Sequence, residues 1–188
     1  MSETECIILA AGYSSRANTN KMLLKIGNKT VIECCIDSFY DSCSQTYVVG
    51  GYRIEEIKPV LMKYKNLQLV HNTHYCDGMF SSVKEGLNYI KGDQFFITPG
   101  DYPMIQKATI DRMLERDEPI IIPQYNGITG HPVRMKSYLI PEIINGGYES
   151  LQEYVATKNA FLLDVDDIGV VTDIDYMEDY DRILNMIS

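Results

Sequence analysis

Near the start of the chain, a run of small residues is bounded by two cations. Leu9-Ala10-Ala11-Gly12-Tyr13-Ser14-Ser15-Arg16 follows an apolar run, and Lys21 comes five residues later. Small side chains let backbone N–H groups close on phosphate oxygens, while Arg16 and Lys21 can neutralise the charge from two sides. The run has neither the G-x-G-x-x-G of a dinucleotide fold nor the G-K-[ST] ending of a Walker loop. Hydride transfer and P-loop kinase chemistry lose ground accordingly.

Carboxylates follow further along. Thr98-Pro99-Gly100-Asp101-Tyr102-Pro103-Met104 sets Asp101 in a turn between a glycine and a proline. Such a carboxylate can hold a hard cation, because Mg²⁺ takes one or two carboxylates plus substrate phosphates, or it can form an Asx turn. Thr172-Asp173-Ile174-Asp175 offers a second pair. By strand alternation one of the two faces the site, and Asp175 reads as the cap of the helix that follows. Gly78, with Ser81 and Ser82 at a helix start, can hydrogen-bond a base or ribose, or simply cap. His131, in Gly130-His131-Pro132, can contact an acceptor phosphate or serve a structural role.

These residues need strands whose carboxyl ends meet at one rim, where ligands bind in open α/β sheets. Short apolar runs predict strands near 5–10, 45–50, 67–71, 94–98, 119–123 and 160–165, with helical periods between them. The expected fold is a three-layer α/β/α sandwich around a mostly parallel, doubly wound sheet, as a single domain over 1–188. The clearest helix spans about Val31 to Ser42: Thr30 caps it, Glu33 completes a capping box, and Ile32, Cys35, Ile36 and Phe39 form a core stripe. Pro59 should start or restart the helix in Ile54 to Tyr64. Helices are also expected after Gly78, over Ala108 to Arg116, and from Met177 to Ile187, the last packing back on the sheet.

A chain of 188 residues with 45% hydrophobic content can bury a core without disulfides or a structural metal. The formal charge of −9 disfavours a nucleic-acid or anionic-membrane partner, while leaving room for a small anion held by local cations. Five cysteines without paired spacing read as reduced thiols, mostly buried, and the acidic N-terminus has no basic n-region, so a cytoplasmic location is expected.

In their order and spacing these segments resemble the MobA-like NTP transferases, and among them the molybdenum cofactor cytidylyltransferases. The shared segments are L-A-A-G-x-S-x-R with the following lysine (Leu9 to Arg16, Lys21), G-M-x-x-S (Gly78 to Ser82), G-D-x-P-M (Gly100 to Met104), G-[HN]-P (Gly130 to Pro132) and D-x-D (Asp173 to Asp175). Ala17-Asn18 replaces the usual Met-Gly, and Gly146-Gly147-Tyr148-Glu149 departs from the usual G-D-x-G. The resemblance implies a nucleotide-diphospho-sugar transferase-like fold. It also implies attack by an acceptor phosphate on the α-phosphate of a nucleoside triphosphate, with pyrophosphate leaving.

The roles it implies are catalytic for Arg16 and Lys21, nucleotide-binding for Leu9, Ala10, Ala11, Gly12, Lys21, Gly78 and Ser82, Mg²⁺-binding for Asp101 and Asp173, and acceptor-binding for His131. Alanine at position 11 resembles the cytidine-using branch, which implies CTP. The implied acceptor is molybdopterin or molybdenum cofactor, with a molybdenum hydroxylase as the eventual recipient. A phosphosugar, phosphocholine or methylerythritol phosphate acceptor stays open, as does a non-catalytic protein that binds nucleotide or cofactor.

Overall fold

The computed structural model describes residues 3–11 and 20–187. In chain order the strands are β1 (Thr4–Ala10), β2 (Lys25–Ile26), β3 (Lys29–Thr30), β4 (Gln45–Gly50), β5 (Leu67–His71), β6 (Gln94–Pro99), β7 (Ile120–Tyr125), β8 (Ile128–Thr129), β9 (Val133–Lys136) and β10 (Phe161–Asp164). The helices are α1 (Val31–Phe39), α2 (Ile54–Leu61), α3 (Met79–Leu87), α4 (Lys107–Leu114), α5 (Ile140–Asn145), α6 (Leu151–Ala156) and α7 (Met177–Ile187). All six expected strands form, within a residue or two of the expected bounds.

The main sheet runs in the order β10-β7-β9-β6-β1-β4-β5, with β8 paired to β7, while β2 and β3 make a separate ribbon. Within the main sheet pairing is parallel except at β8 and β9. Helices cover both faces, so β1 at the centre is buried along its whole length. Cys6, Ile8 and Ala10 face a core shared with α1, α2 and α4. Ile7 and Leu9, pointing the other way, face a second core with α3, α5 and α6. This is the three-layer α/β/α sandwich.

Strand β9 was not foreseen. It runs antiparallel between β6 and β7, with Phe96 opposite Arg134 and Ile121 opposite Arg134 on the other side. Reversal has a local consequence: residues just before β9 reach the same rim as residues just after the parallel strands. Gly130 lies in that approach, and its backbone is so close to the Val170 carbonyl that a Cβ would meet the oxygen at 1.9 Å. Only glycine fits there.

Helix α1 carries the expected stripe, with Ile32, Cys35, Ile36 and Phe39 fully buried, but it ends at Phe39 in a turn instead of reaching Ser42. Its capping box is complete. Glu33 N–H donates to Thr30 Oγ1 at 3.4 Å, and Glu33 Oε2 accepts from the Thr30 N–H at 2.5 Å and from its hydroxyl at 2.6 Å. Burial would raise the Glu33 pKa, but Lys63 and the Thr30 donors outweigh it and hold the carboxyl down at about 2. Thr30→Ala is expected to cost about 1 kcal/mol and lower the midpoint of thermal unfolding by about 3 °C, as read by circular dichroism.

Three expectations are corrected. Helix α2 begins at Ile54 and contains Pro59, whose exposed side leaves the unbonded backbone to solvent. Helix α7 packs not on the sheet but through Ile183 on a satellite core with Val31, Ile174, Leu24 and Ile26 beside the β2–β3 ribbon. Residues 172–175 are irregular instead of a strand, so strand alternation does not govern Asp173 and Asp175. None of the five cysteines forms a disulfide; Cys6, Cys35 and Cys43 are buried, but Cys76 is exposed. Among the described residues no helix is long and apolar enough to cross a membrane.

Candidate functional site

The turn after β6 carries Asp101, which is 8% exposed. Its Oδ2 lies 2.6 Å from Lys21 Nζ, and its Oδ1 is buried without a hydrogen-bond partner among the described residues. The Lys21 ammonium also donates to the Ile174 carbonyl at 2.9 Å and reaches Asp175 Oδ1 at 3.4 Å. Three distant segments are thus stitched together, and the Ile174 N–H adds a backbone bond of 3.1 Å to the Asp101 carbonyl. The buried side chain of Ile174 anchors the stretch in the satellite core, which leaves Asp173 and Asp175 on either side of the anchor.

The charges of this cluster shape one another. Burial pulls the Lys21 pKa down, but Asp101 and then Asp175 more than compensate, so it is raised overall. Asp173 is raised by burial first, then by the charges of Asp101 and Asp175. Tyr102 is also raised, by burial and then by Asp173, Asp101 and Asp175. Among the described residues no three His, Cys, Asp or Glu side chains form a ready metal cage.

Asp175 does not cap α7. Instead the Asp179 carboxylate reaches back to accept from the N–H groups of Asp175 and Tyr176, at 3.2 and 2.9 Å, which frees the Asp175 side chain for Lys21. A carboxylate at the third helical position was the available signal for this arrangement.

Two adjoining cavities open near the ends of β1 and β6, and the larger reaches Tyr102, the neighbour of Asp101. The smaller, about 220 Å³, is lined by Leu9, Ala11, Tyr75, Cys76, Gly78, Met79 and Ser82. Of the expected nucleotide-binding residues, Leu9, Ala11, Gly78 and Ser82 therefore come together. The side chain of Ala10 turns into the core on the opposite face. Gly12 and Arg16, with Ala17-Asn18, lie outside the described residues.

Gly78 takes φ +94°, which a side chain would strain, and it leads directly into α3. Ser82 is held by an unforeseen residue, Asn72, buried at the end of β5. Its Nδ2 donates to Ser81 Oγ at 2.8 Å and Ser82 Oγ at 2.9 Å, and its Oδ1 accepts from the His74 N–H at 2.8 Å. Asparagine directly after a strand was its only trace in the sequence.

The larger cavity, about 490 Å³, shares Leu9 and Met79 with the smaller one. Its wall includes Phe80, Val83, Tyr102, His131, Glu149 and Leu151, and none of its described lining residues is Lys or Arg. His131 packs edge-on to Tyr102 with ring centres 4.9 Å apart, and its Nδ1 has no hydrogen-bond partner among the described residues. Burial brings its pKa down to about 4, partly opposed by the Ile97 carbonyl, so the imidazole is neutral at pH 7. Any contact it makes with an acceptor is a neutral hydrogen bond, not an ion pair. The divergent Gly146–Glu149 segment supplies Glu149 to this wall.

A family model described as the MobA-like NTP transferase domain matches residues 6–160. A molybdenum cofactor cytidylyltransferase of Escherichia coli (strain K12) is 30% identical over 185 residues, covering 96% of this chain and 95% of that protein. A probable molybdenum cofactor guanylyltransferase of Natranaerobius thermophilus is 33% identical over 129 residues, which is 64% of this chain and 60% of its own length. Among solved structures, Rv0371c from Mycobacterium tuberculosis H37Rv superposes with a TM-score of 0.84 at 22% identity, over 98% of both chains. A crystal structure of Rv0371c in complex with manganese gives a TM-score of 0.78 at 19% identity, again over 98% of both chains. These two share the fold. With a family model over most of its length and a relative matched nearly end to end, the chain belongs to the MobA-like NTP transferases, a nucleotidyltransferase family.

Proposed function

We propose that this chain transfers CMP from CTP to the terminal phosphate of molybdopterin or molybdenum cofactor and releases pyrophosphate. The observation that carries the reading is the Lys21–Asp101 pair, coupled in charge to Asp173; Asp101 is next in the chain to Tyr102, which lines the larger of two adjoining cavities. One is of a size for a nucleobase, and the other is large enough for a multi-ring acceptor. Such an arrangement can bring an acceptor phosphate and an α-phosphate together while the charge between them is offset.

Asp101 and Asp173 would hold a divalent ion, Mg²⁺ in our reading. A buried carboxylate oxygen without a partner among the described residues, Asp101 Oδ1, is an atom that a cation satisfies, and a cation would offset the burial and then the repulsion that raise Asp173. The manganese complex of Rv0371c supports the choice of a divalent metal. When bound, the ion supplies charge stabilisation on phosphoryl oxygens. Lys21 would pair with the triphosphate from the opposite side, joined by Arg16 and the Gly12 segment. Ser82, steadied by Asn72, and the backbone near Ala11 and Gly78 would orient the nucleoside. The acceptor phosphate is already ionised, so no general base is required of the protein.

The acceptor assignment draws on the larger cavity. Its apolar and aromatic lining, without lysine or arginine among the described residues, suits a flat heteroaromatic body better than a polyhydroxylated phosphosugar. The base assignment draws on Ala11 and on the cytidylyltransferase relative. In calorimetric titrations with Mg²⁺, CTP is expected to bind at least about tenfold more tightly than GTP, about 1.4 kcal/mol. Equal binding, or a preference for GTP, would overturn the base assignment.

A further inference from the structure

Lys21 occupies a place suited to a metal ion. Its ammonium is surrounded by Asp101 Oδ2 at 2.6 Å, the Ile174 carbonyl at 2.9 Å and Asp175 Oδ1 at 3.4 Å. Two carboxylate oxygens and a carbonyl are also the hard donors that a divalent cation selects. A cation bound through Asp101 at ordinary coordination distance would bring two positive centres onto one carboxyl group in a half-buried setting, where their repulsion is poorly screened.

We propose that Lys21 is a resident cation of the metal-free protein. It neutralises Asp101 and ties the 173–175 stretch to the β6 turn, and it competes with the divalent ion for Asp101 until a triphosphate draws the ammonium away. The proposal rests on Asp101 and Asp173 being the metal-binding carboxylates.

The charge balance accounts for the arrangement. Asp101, Asp173 and Asp175 stand together, and Lys21 is the cation that the described structure places among them. Without a positive charge the three carboxylates would repel one another and the cluster would spread, so the ammonium keeps the site assembled while it waits. A nucleoside triphosphate offers Lys21 oxygens richer in charge than the Ile174 carbonyl. Once the ammonium turns toward them, Asp101 Oδ2 is released to join the partnerless Oδ1 in facing the metal.

Nucleotide and metal therefore bind with positive coupling, and by linkage each raises the affinity for the other by the same factor. A metal ion alone is held weakly, which disfavours occupation of the site in a state that cannot react.

Mn²⁺ binding followed by electron paramagnetic resonance tests this without turnover. In the absence of nucleotide, Lys21→Met, which keeps the chain length and removes the charge, is expected to bind Mn²⁺ about tenfold more tightly than the native protein, the scale of ordinary coupling between two ligands. With CTP present and no acceptor, that advantage is expected to vanish or reverse, because the variant has lost a triphosphate contact. Unchanged or weaker Mn²⁺ binding by Lys21→Met without nucleotide would overturn the proposal. A lysine serving only to brace the fold predicts that weaker binding.

If the native protein bound no Mn²⁺ even with CTP, the metal reading itself would fall, which is a separate outcome. Amine labelling of the native protein, read by peptide mass spectrometry, gives a second route that needs no variant. Saturating Mn²⁺ is expected to raise the labelling rate of Lys21 severalfold by displacing it from Asp101. A constant or falling rate would count against displacement.

Discussion

Asp101→Asn is expected to reduce pyrophosphate release by about a hundredfold or more at saturating CTP and Mg²⁺, with the fold retained. Asparagine keeps the shape of the side chain, so the turn after β6 and its backbone bond to Ile174 should persist. What disappears is the charge. Removal of one preorganised group facing the developing charge costs on the order of 3 kcal/mol at the transition state, which is about a hundredfold in rate. Asp175→Asn makes a useful contrast, because that carboxylate is exposed and 3.4 Å from Lys21, and the expected loss is no more than a few-fold. Initial rates for the two variants, with circular dichroism to establish folding, check both expectations. Turnover by Asp101→Asn within a few-fold of the native rate would end the assignment of this residue to the metal.

The largest effect on stability is expected far from the carboxylates, at Arg134 in β9. This side chain is completely buried in the sheet. Its Nη1 donates to Gln94 Oε1 at 2.6 Å, and its Nη2 donates to the carbonyls of Glu118 and Arg116 at 2.6 and 3.2 Å. Burial lowers the guanidinium pKa, and the nearby Asp117 and Glu118 charges act against that shift. Arg134→Ala would strip the partner from one buried and two partly buried acceptors and leave a space the size of a long side chain. Hydrogen bonds from charged donors, buried acceptors left unsatisfied and an unfilled space together predict a loss of about 3 to 5 kcal/mol. In a domain of this size the unfolding midpoint should drop by about 10 °C. Because β9 follows directly on His131, partial loosening should also weaken acceptor binding before it affects CTP binding. Thermal and urea unfolding measure the first effect, and separate titrations of the two substrates measure the second.

The sequence carried the frame of the molecule because the parallel strands are short apolar runs buried on both faces, and the Thr30–Glu33 box wrote one helix start into local spacing. It also singled out Asp101 by its place at a strand tip between glycine and proline, but that spacing left a cation site and an Asx turn equally open, and the Lys21 contact came only from the fold. Strand β9 was hidden because Val-Arg-Met-Lys alternates in a way that reads as an exposed segment, while the terminal nitrogens of its buried arginine are bonded to oxygens that no local pattern announces. Asp175 was misread for a related reason. Its role depends on Asp179 supplying the cap and on Lys21 arriving from the far end of the chain. Asn72 likewise gains its meaning from Ser81 and Ser82, which are held against it by the fold. Contacts of long sequence separation leave little trace in composition or periodicity.

Leu9 and Met79 are the residues common to the two cavity walls, and that narrow boundary bears on how such a protein could change over time. Residues up to Ser82 furnish the described wall of the smaller chamber, and the larger chamber draws most of its remaining lining from Ile97 onward. Substitutions in the later half can therefore reshape the larger cavity while the described wall of the smaller one remains undisturbed. If the smaller cavity takes the nucleotide and the larger the acceptor, as proposed, the antiparallel strand and the two short helices after it form a part that can be exchanged without touching the nucleotide wall. Swapping residues 130–156 between relatives, with the first 82 residues kept, is the economical route to a new acceptor.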